Sequence, residues 1–182
     1  AWTIFVDAIS KALCATGLRV GWAVAPPYVT ARMRDILGHV GAWAPRAEQV
    51  AAAEVLRDGP TLDAYLHQMK AGVQQRLDLL HDGFAKMQAA GLPVRAVPPQ
   101  GAIYLLVQLG LHGKTTPGGQ QLTTNEQIRR YLLEAAGMAV VPFQAFGLGQ
   151  ESGWMRLSVG AVSLDDVTAL LPRLEAALAA LR

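Results

Sequence analysis

The stretch SKALCATGLRVGW, residues 10–22, places one lysine and one arginine among small residues, just after an apolar run. A lysine at the end of a strand can reach the sheet edge where ligands collect. Its amine attacks carbonyl groups when desolvation or a nearby cation favours the neutral form. Arg19 offers a planar cationic fork suited to phosphate, and Ser10 adds a hydroxyl donor. The stretch indicates a site for a phosphorylated carbonyl compound around Lys11, although a surface lysine and arginine at strand ends would show the same pattern.

The composition narrows the class of protein. The 182 residues are 52% hydrophobic and 16% charged, which excludes a disordered chain and allows one domain, or one domain and part of another. The net charge of +2 is too small to predict binding to nucleic acid or to an acidic membrane. Cys14 is the single cysteine, so an internal disulfide is excluded. We therefore expect a cytoplasmic protein without nucleic-acid or membrane partners.

Strands and helices alternate along the chain, which predicts an α/β fold. Strands are predicted at 2–7, 18–26, 93–97, 102–109, 139–142 and 154–159, and helices at about 28–38, 45–59, 62–87, 124–136 and 163–181. The first strand is expected to be buried, and it begins without a turn, as though the chain started inside a sheet. Capping boxes are predicted for the last two helices, from Thr123 with Glu126 and from Ser163 with Asp166.

The longest helix carries the most regular apolar pattern. Thr61 is expected to cap its start, while Gly91 and Pro93 stop it. Its one-face apolar positions are Leu62, Leu66, Met69, Val73, Leu77, Leu80, Phe84 and Met87. A helix of this length exceeds a small core, so it is expected to link two lobes. The predicted organisation is a first domain over 1–60, a connecting helix over 61–90 and a small, well-packed α+β domain over 91–182.

Other chemistry-bearing patterns fail on spacing. The tripeptide GKT at 113–115 would end a phosphate-binding P-loop, but that motif needs glycine where Gln108 stands. The four histidines show no spacing typical of metal ligands, and there is no second cysteine, so no metal site is predicted.

In GWMRLSVG, residues 153–160, period-two alternation places Arg156 on a partly polar face. Arg156 is therefore a candidate carboxylate clamp, and an arginine extending to water from an edge strand would fit equally.

The opening stretch resembles the pyridoxal-phosphate lysine signature of class I/II aminotransferases, the fold-type I family. The matching residues are Ser10, Lys11, Thr16, Gly17, Arg19, Gly21 and Trp22. The resemblance implies that Lys11 forms an imine with pyridoxal 5′-phosphate, and that Ser10 and Arg19 bind its phosphate. It also implies that the chain is the C-terminal portion of such an enzyme, comprising the end of the large-domain sheet, the interdomain helix and the small domain.

Three later stretches resemble the same family, in the same order: PPQGAIYLL (98–106), VVPFQAFG (140–147) and WMRLSVG (154–160). They imply that Tyr104 lies beside the substrate and that Arg156 binds its carboxylate. Amino-acid and 2-oxo-acid substrates and a homodimer follow from the same resemblance. Ala8 stands where the family often has serine, and Phe143 stands where it usually has glycine. The resemblance therefore does not fix the backbone conformation of the turn that contains Phe143. A pyridoxal-phosphate lyase, a ligand-binding domain of a transcription regulator and an inactive structural fragment remain alternatives.

Overall fold

The computed structural model describes residues 3–182, so Trp2, at the start of the first predicted strand, lies outside the described residues. The chain divides into two compact units, one ending at Met69 and the other spanning Lys70–Arg182. The boundary falls inside one continuous helix, α4, which spans Gly59–Ala89. Among the described residues, no helix has the length and apolar character needed to cross a membrane.

The first unit is built on an antiparallel strand pair. Strands β1 (Phe5–Ala8) and β2 (Gly21–Val24) pair with Phe5 opposite Val24 and Ala8 opposite Gly21. Three helices complete the unit before α4: α1 (Ile9–Ala12), α2 (Pro27–Val40) and α3 (Arg46–Arg57). A small apolar core of Ile9, Val20 and Ala52 lies between the hairpin loop and α3. The predicted elements of this region are therefore present, with shorter strands than expected.

Strand β1 is exposed, and the prediction that it is buried is wrong for this chain. Phe5 and Val6 are 53% and 71% exposed, respectively. In the described part of the chain, β1 pairs only with β2, so nothing covers its apolar side chains. An apolar strand of this kind is usually covered by a neighbouring layer.

Helix α4 is 31 residues long and therefore extends about 46 Å. It starts before the predicted Thr61 cap, because the Asp58 carboxylate accepts a hydrogen bond from the Thr61 N–H at 3.3 Å. Asp58 precedes the helix and fills the role of an N-cap acceptor, so the assignment of the cap to Thr61 is wrong. The predicted apolar face is confirmed where it is buried, at Val73, Leu77, Leu80, Phe84 and Met87.

The second unit contains a four-stranded antiparallel sheet. Its strands are β3 (Val94–Ala96), β4 (Tyr104–Leu109), β5 (Val141–Pro142) and β6 (Trp154–Ser158), in the spatial order β3-β4-β6-β5. Helices α5 (Asn125–Ala136) and α6 (Leu164–Ala179) pack against each other, and the Tyr131 hydroxyl of α5 donates to the Ala177 carbonyl of α6 at 2.6 Å. One face of the sheet is buried through alternating residues such as Leu105, Val107, Met155 and Leu157. The other face carries the candidate residues Tyr104 and Arg156.

Both helices of this unit begin with capping boxes, but the sequence prediction was right for only one of them. At α6, Ser163 and Asp166 cap each other, and hydrogen bonds from Ser163 lower the pKa of the Asp166 carboxyl. At α5, the box consists of Thr124 and Gln127, one residue beyond the predicted pair. Glu126 instead bonds Arg129, one turn further along the exposed face.

Gly153 is required by close packing just before β6. Its φ is +71°, and a Cβ atom there would overlap the carbonyl oxygen of Leu109. Gly153→Ala is therefore expected to lower the free energy of unfolding by about 3 kcal/mol, combining left-handed strain with overpacking. Gly147→Ala is the matched control, because its φ is +88° but nothing lies within 4 Å of the added atom.

Urea denaturation of both glycine variants separates the two terms. Gly147→Ala is expected to lose about 1 to 2 kcal/mol, the left-handed term alone. Equal losses in the two variants would contradict the packing argument for Gly153.

Candidate functional site

The residues of the opening stretch form the connection between β1 and β2. The Ile9 N–H donates to the Val20 carbonyl at 3.3 Å, which closes the loop that carries Ser10, Lys11 and Arg19. Lys11 lies in the single turn of α1 and is exposed, whereas Ser10 is half-buried. The structure thus places the predicted amine, hydroxyl and guanidinium on one loop of the first unit.

Two hydrogen bonds and one glycine fix the shape of this loop. The Tyr65 hydroxyl of α4 donates to the Leu13 carbonyl at 2.8 Å. Burial raises the pKa of the Tyr65 hydroxyl, and the neighbouring Cys14 thiol adds to the shift. The Arg19 guanidinium donates to the Thr16 carbonyl at 2.9 Å, which orients its fork within the loop. At Gly21 a Cβ would lie 3.0 Å from the Asp7 carbonyl oxygen, so any larger residue would require the two strands to move apart slightly.

Backbone strain is concentrated in the candidate motifs. Among the described residues, three non-glycine positions have positive φ: Cys14 at 52°, Arg19 at 57° and Ala102 at 58°. The first two flank the loop that follows Lys11, and Ala102 lies two residues before Tyr104. The left-handed conformation costs a non-glycine residue about 1 to 2 kcal/mol, and such strain clusters at functional sites.

The hairpin loop carries the types of donor that an aldehyde with a phosphate group requires. Within residues 3–182, no acidic side chain lies within salt-bridge distance of Lys11 or Arg19. An amine free of an ion pair can bond a carbonyl carbon, and a guanidinium without an acidic partner can hold a phosphate through those N–H groups that the Thr16 carbonyl does not occupy. Within the same described range, no group of three or more histidine, cysteine or acidic residues is arranged to hold a metal ion.

Arg156 of β6 lies between two aromatic rings in the second unit. Its guanidinium carbon is 4.2 Å from the ring centre of Tyr104 and 4.3 Å from that of Phe146. Arg156 faces Leu106 across the β4–β6 pair, so Tyr104 is its diagonal neighbour on the same face. In the described part of the chain, no acidic side chain pairs with this guanidinium. The half-buried, oriented cation favours a carboxylate clamp over an arginine that extends to water.

Sequence reasoning singled out Tyr104 but missed the second ring against Arg156, Phe146, and its neighbour Phe143. Phe146 is 48% exposed and stacks on the guanidinium, and Phe143 contacts Phe146 with a ring-centre distance of 6.1 Å. Both belong to a 3₁₀ turn over Phe143–Phe146, and Gly147 ends that turn with φ +88°. Phe143 has no positive φ, so the glycine that the family usually has there is not needed by this backbone. The F-x-x-F spacing was the available signal, because rings three residues apart meet in a 3₁₀ turn.

A buried asparagine anchors the loop that carries these rings. Asn125 is 1% exposed, and its amide donates to the Gln144 side chain at 2.9 Å. The Asn125 side-chain oxygen, Oδ1, accepts a hydrogen bond from the Gly153 N–H at 2.9 Å. Both ends of the segment 144–153 are therefore bonded to the start of α5. The Glu151 carboxylate accepts from the Asn125 backbone N–H, where the helix N-terminus favours negative charge.

Asn125→Ala is expected to lower the free energy of unfolding by about 1 to 3 kcal/mol, because it leaves the buried Gly153 N–H without a partner. Glu126→Ala, at the next position of α5, is the matched control, since it removes only the exposed ion pair with Arg129, which contributes little to stability. Urea denaturation should show a lower midpoint for the first variant and a nearly unchanged midpoint for the second. A midpoint that is unchanged for Asn125→Ala would contradict the anchoring role.

Known proteins are similar to this chain over most of its length. The sequence model of the family described as "Aminotransferase class I and II" matches residues 1–174. An aspartate aminotransferase from Rhizobium meliloti (strain 1021) is 34% identical over 176 residues, covering 96% of this chain and 40% of that protein. A probable N-acetyl-LL-diaminopimelate aminotransferase from Bacillus subtilis (strain 168) is 32% identical over 173 residues, covering 95% of this chain and 39% of that protein.

Solved structures match nearly the whole chain as well. The crystal structure of the Rhizobium meliloti aspartate aminotransferase aligns with a TM-score of 0.81 and 31% identity, over 99% of this chain and 42% of that chain. This chain therefore spans about two fifths of the length of the relatives it matches.

Proposed function

Because this chain belongs to the class I and II aminotransferase family, we propose that it acts as the C-terminal part of a pyridoxal-phosphate-dependent aminotransferase. The reaction would transfer an amino group between an amino acid and a 2-oxo acid. The observation that carries the proposal is the hairpin loop, which presents Ser10, Lys11 and Arg19 without an acidic partner among the described residues. The names of the relatives, which are aminotransferases acting on different amino acids, favour transamination over a lyase or a regulator.

Pyridoxal 5′-phosphate is the cofactor of this family, and the amine, hydroxyl and guanidinium of the loop are the donor types that it requires. Lys11 Nζ would bond the cofactor covalently, while the Arg19 guanidinium and the Ser10 hydroxyl would bind the phosphate. When bound, the cofactor supplies an electron sink that makes the bond from the substrate α-carbon to its hydrogen labile. Once the substrate amine has displaced it, Lys11 Nζ would take up the proton from the α-carbon.

Arg156 and Tyr104 would form the substrate side of the site. The guanidinium between the Tyr104 and Phe146 rings would bind the α-carboxylate through two parallel hydrogen bonds. Fixing the carboxylate limits rotation of the substrate, so that the labile bond is held in the orientation that reaction requires. The single positive charge of Arg156 recognises a group common to all amino acids, which leaves the amino-acid side chain unspecified.

The domain organisation follows the same proposal. Residues 1–60 would belong to the large cofactor-binding domain, 61–90 would form the interdomain helix, and 91–182 would form the small domain. The exposed apolar residues of β1, such as Phe5 and Val6, would then be covered by the remaining part of the enzyme. A cytoplasmic homodimer completes the proposal and is supported by the family.

A half-reaction tests the proposed function. The full-length protein containing this chain is loaded with pyridoxal 5′-phosphate and mixed with an amino acid in the absence of a 2-oxo acid. We expect one equivalent of 2-oxo acid per site, a loss of the absorbance of the lysine-bound cofactor and its return when a 2-oxo acid is added. Release of ammonia or carbon dioxide instead of a reversible exchange would overturn the proposal in favour of a lyase.

A further inference from the structure

A row of aromatic rings joins two arginines on the face of the sheet that carries Arg156. Arg95 of β3 lies 5.0 Å from the ring centre of Trp154, and Trp154 stacks on Phe143 at 6.2 Å with an interplanar angle of 27°. The Phe143 ring meets the Phe146 ring edge to face, at 90°. Phe146 in turn covers the Arg156 guanidinium. Trp154 and Arg156 are two residues apart in β6, so this strand supports both ends of the row.

Phe146 needs a support that its own turn does not provide. It is 48% exposed and belongs to a four-residue 3₁₀ turn, whose hydrogen bonds hold a side chain less firmly than an α-helix does. Phe143 is half-buried, and besides contacting Phe146 it stacks on the Trp154 ring of strand β6, which restricts its movement. The edge of one ring against the face of another restricts how Phe146 can turn.

We infer that Phe143 is a positioning residue for Arg156, acting through Phe146. The inference deepens the proposed function. Its consequence for substrate binding rests on that function, because it assumes that Arg156 binds the substrate carboxylate. With glycine at position 143, the Phe146 ring would lose its inner support, and the guanidinium would lose the wall that holds it against Tyr104. The substrate carboxylate would then meet a cation with more freedom, which weakens binding without changing the groups that carry out the chemistry.

The first measurement reads the position of Arg156 without using activity. In full-length protein labelled with ¹⁵N-arginine, the Arg156 Nε–Hε signal is assigned by its loss in Arg156→Lys. Ring currents from Tyr104 and Phe146 should displace this signal, and Phe143→Gly should move it toward the position of an unstacked arginine. Phe143→Tyr should leave the signal at its position in the unaltered protein, because this variant keeps an aromatic ring at position 143. An unmoved signal in Phe143→Gly overturns the inference, whatever reaction the protein catalyses.

The second measurement compares KM with kcat for the amino-acid substrate. Phe143→Gly is expected to raise KM about two- to tenfold, with kcat little changed, as the loss of the aromatic pair between Phe143 and Phe146 predicts. Leu148→Ala is the matched control, because Leu148 is exposed on the same segment and lies outside the row. If Arg156→Gln raises KM and Phe143→Gly does not, the inference is wrong. If Arg156→Gln leaves KM unchanged, the proposed substrate role of Arg156 fails, and the signal of Arg156 alone decides the inference.

Discussion

Lys11→Ala in the full-length, cofactor-loaded protein is expected to abolish covalent attachment of pyridoxal 5′-phosphate and to lower kcat by about 10⁴-fold. The expected size is the upper end of the effect of a positioned acid–base group, because alanine removes both the bonding amine and the proton acceptor. The fold should be nearly unaffected, since the Lys11 side chain is exposed and forms no salt bridge in the part of the chain that the structure describes.

Borohydride reduction followed by peptide mapping measures the site of attachment directly. In the unaltered protein, the reduced cofactor should be found on the peptide that contains Lys11. Lys70→Ala and Lys86→Ala are the controls, because both residues are exposed lysines of α4. A cofactor tag on either of these lysines would refute the assignment of Lys11.

The elements of the fold could be predicted because each follows from local chemistry. The apolar face of α4 and the alternating residues of β4 and β6 depend on burial, which the sequence pattern records directly. The errors in helix capping lie at helix starts, where competing hydrogen-bond acceptors decide which residue is the cap. At α4 the observed cap is Asp58, where Thr61 was predicted. At α5 the observed capping box is Thr124 with Gln127, where Thr123 with Glu126 was predicted. Adjacent polar residues have similar capping ability, so the sequence alone does not rank them.

The site could be predicted only in part, because its supports depend on contacts between distant residues. Lys11 and Arg19 lie within one loop, so their shared position follows from the motif. The bond from Tyr65 to Leu13 joins residues 52 positions apart, and no local pattern indicates it. The same holds for Asn125, which interacts with Gly153 across 28 positions. Tertiary packing, which the sequence pattern does not encode locally, therefore determines how rigidly the predicted residues are held.

Arg156→Gln is expected to weaken binding of the amino-acid substrate while leaving cofactor affinity unchanged, and Arg19→Gln should do the reverse. Loss of a desolvated partner to a carboxylate costs about 2 to 5 kcal/mol, which corresponds to a rise in KM of about 30-fold or more. For Arg19 the expected loss is about 10- to 100-fold in cofactor affinity, the size of a hydrogen bond to a charged group. Spectral titration with pyridoxal 5′-phosphate and steady-state kinetics separate the two effects.

Arg95→Gln provides the matched control for this pair of variants. Arg95 is also a strand arginine that lies over an aromatic ring, 5.0 Å from the centre of Trp154, so its replacement removes the same kind of cation–π contact. It contacts the opposite end of the aromatic row from Arg156, and its replacement should therefore leave KM within about twofold. If Arg95→Gln raised KM as much as Arg156→Gln, the effect would come from general disturbance of the sheet face. If both Arg156→Gln and Arg19→Gln lost only cofactor, Arg156 would not be the substrate clamp.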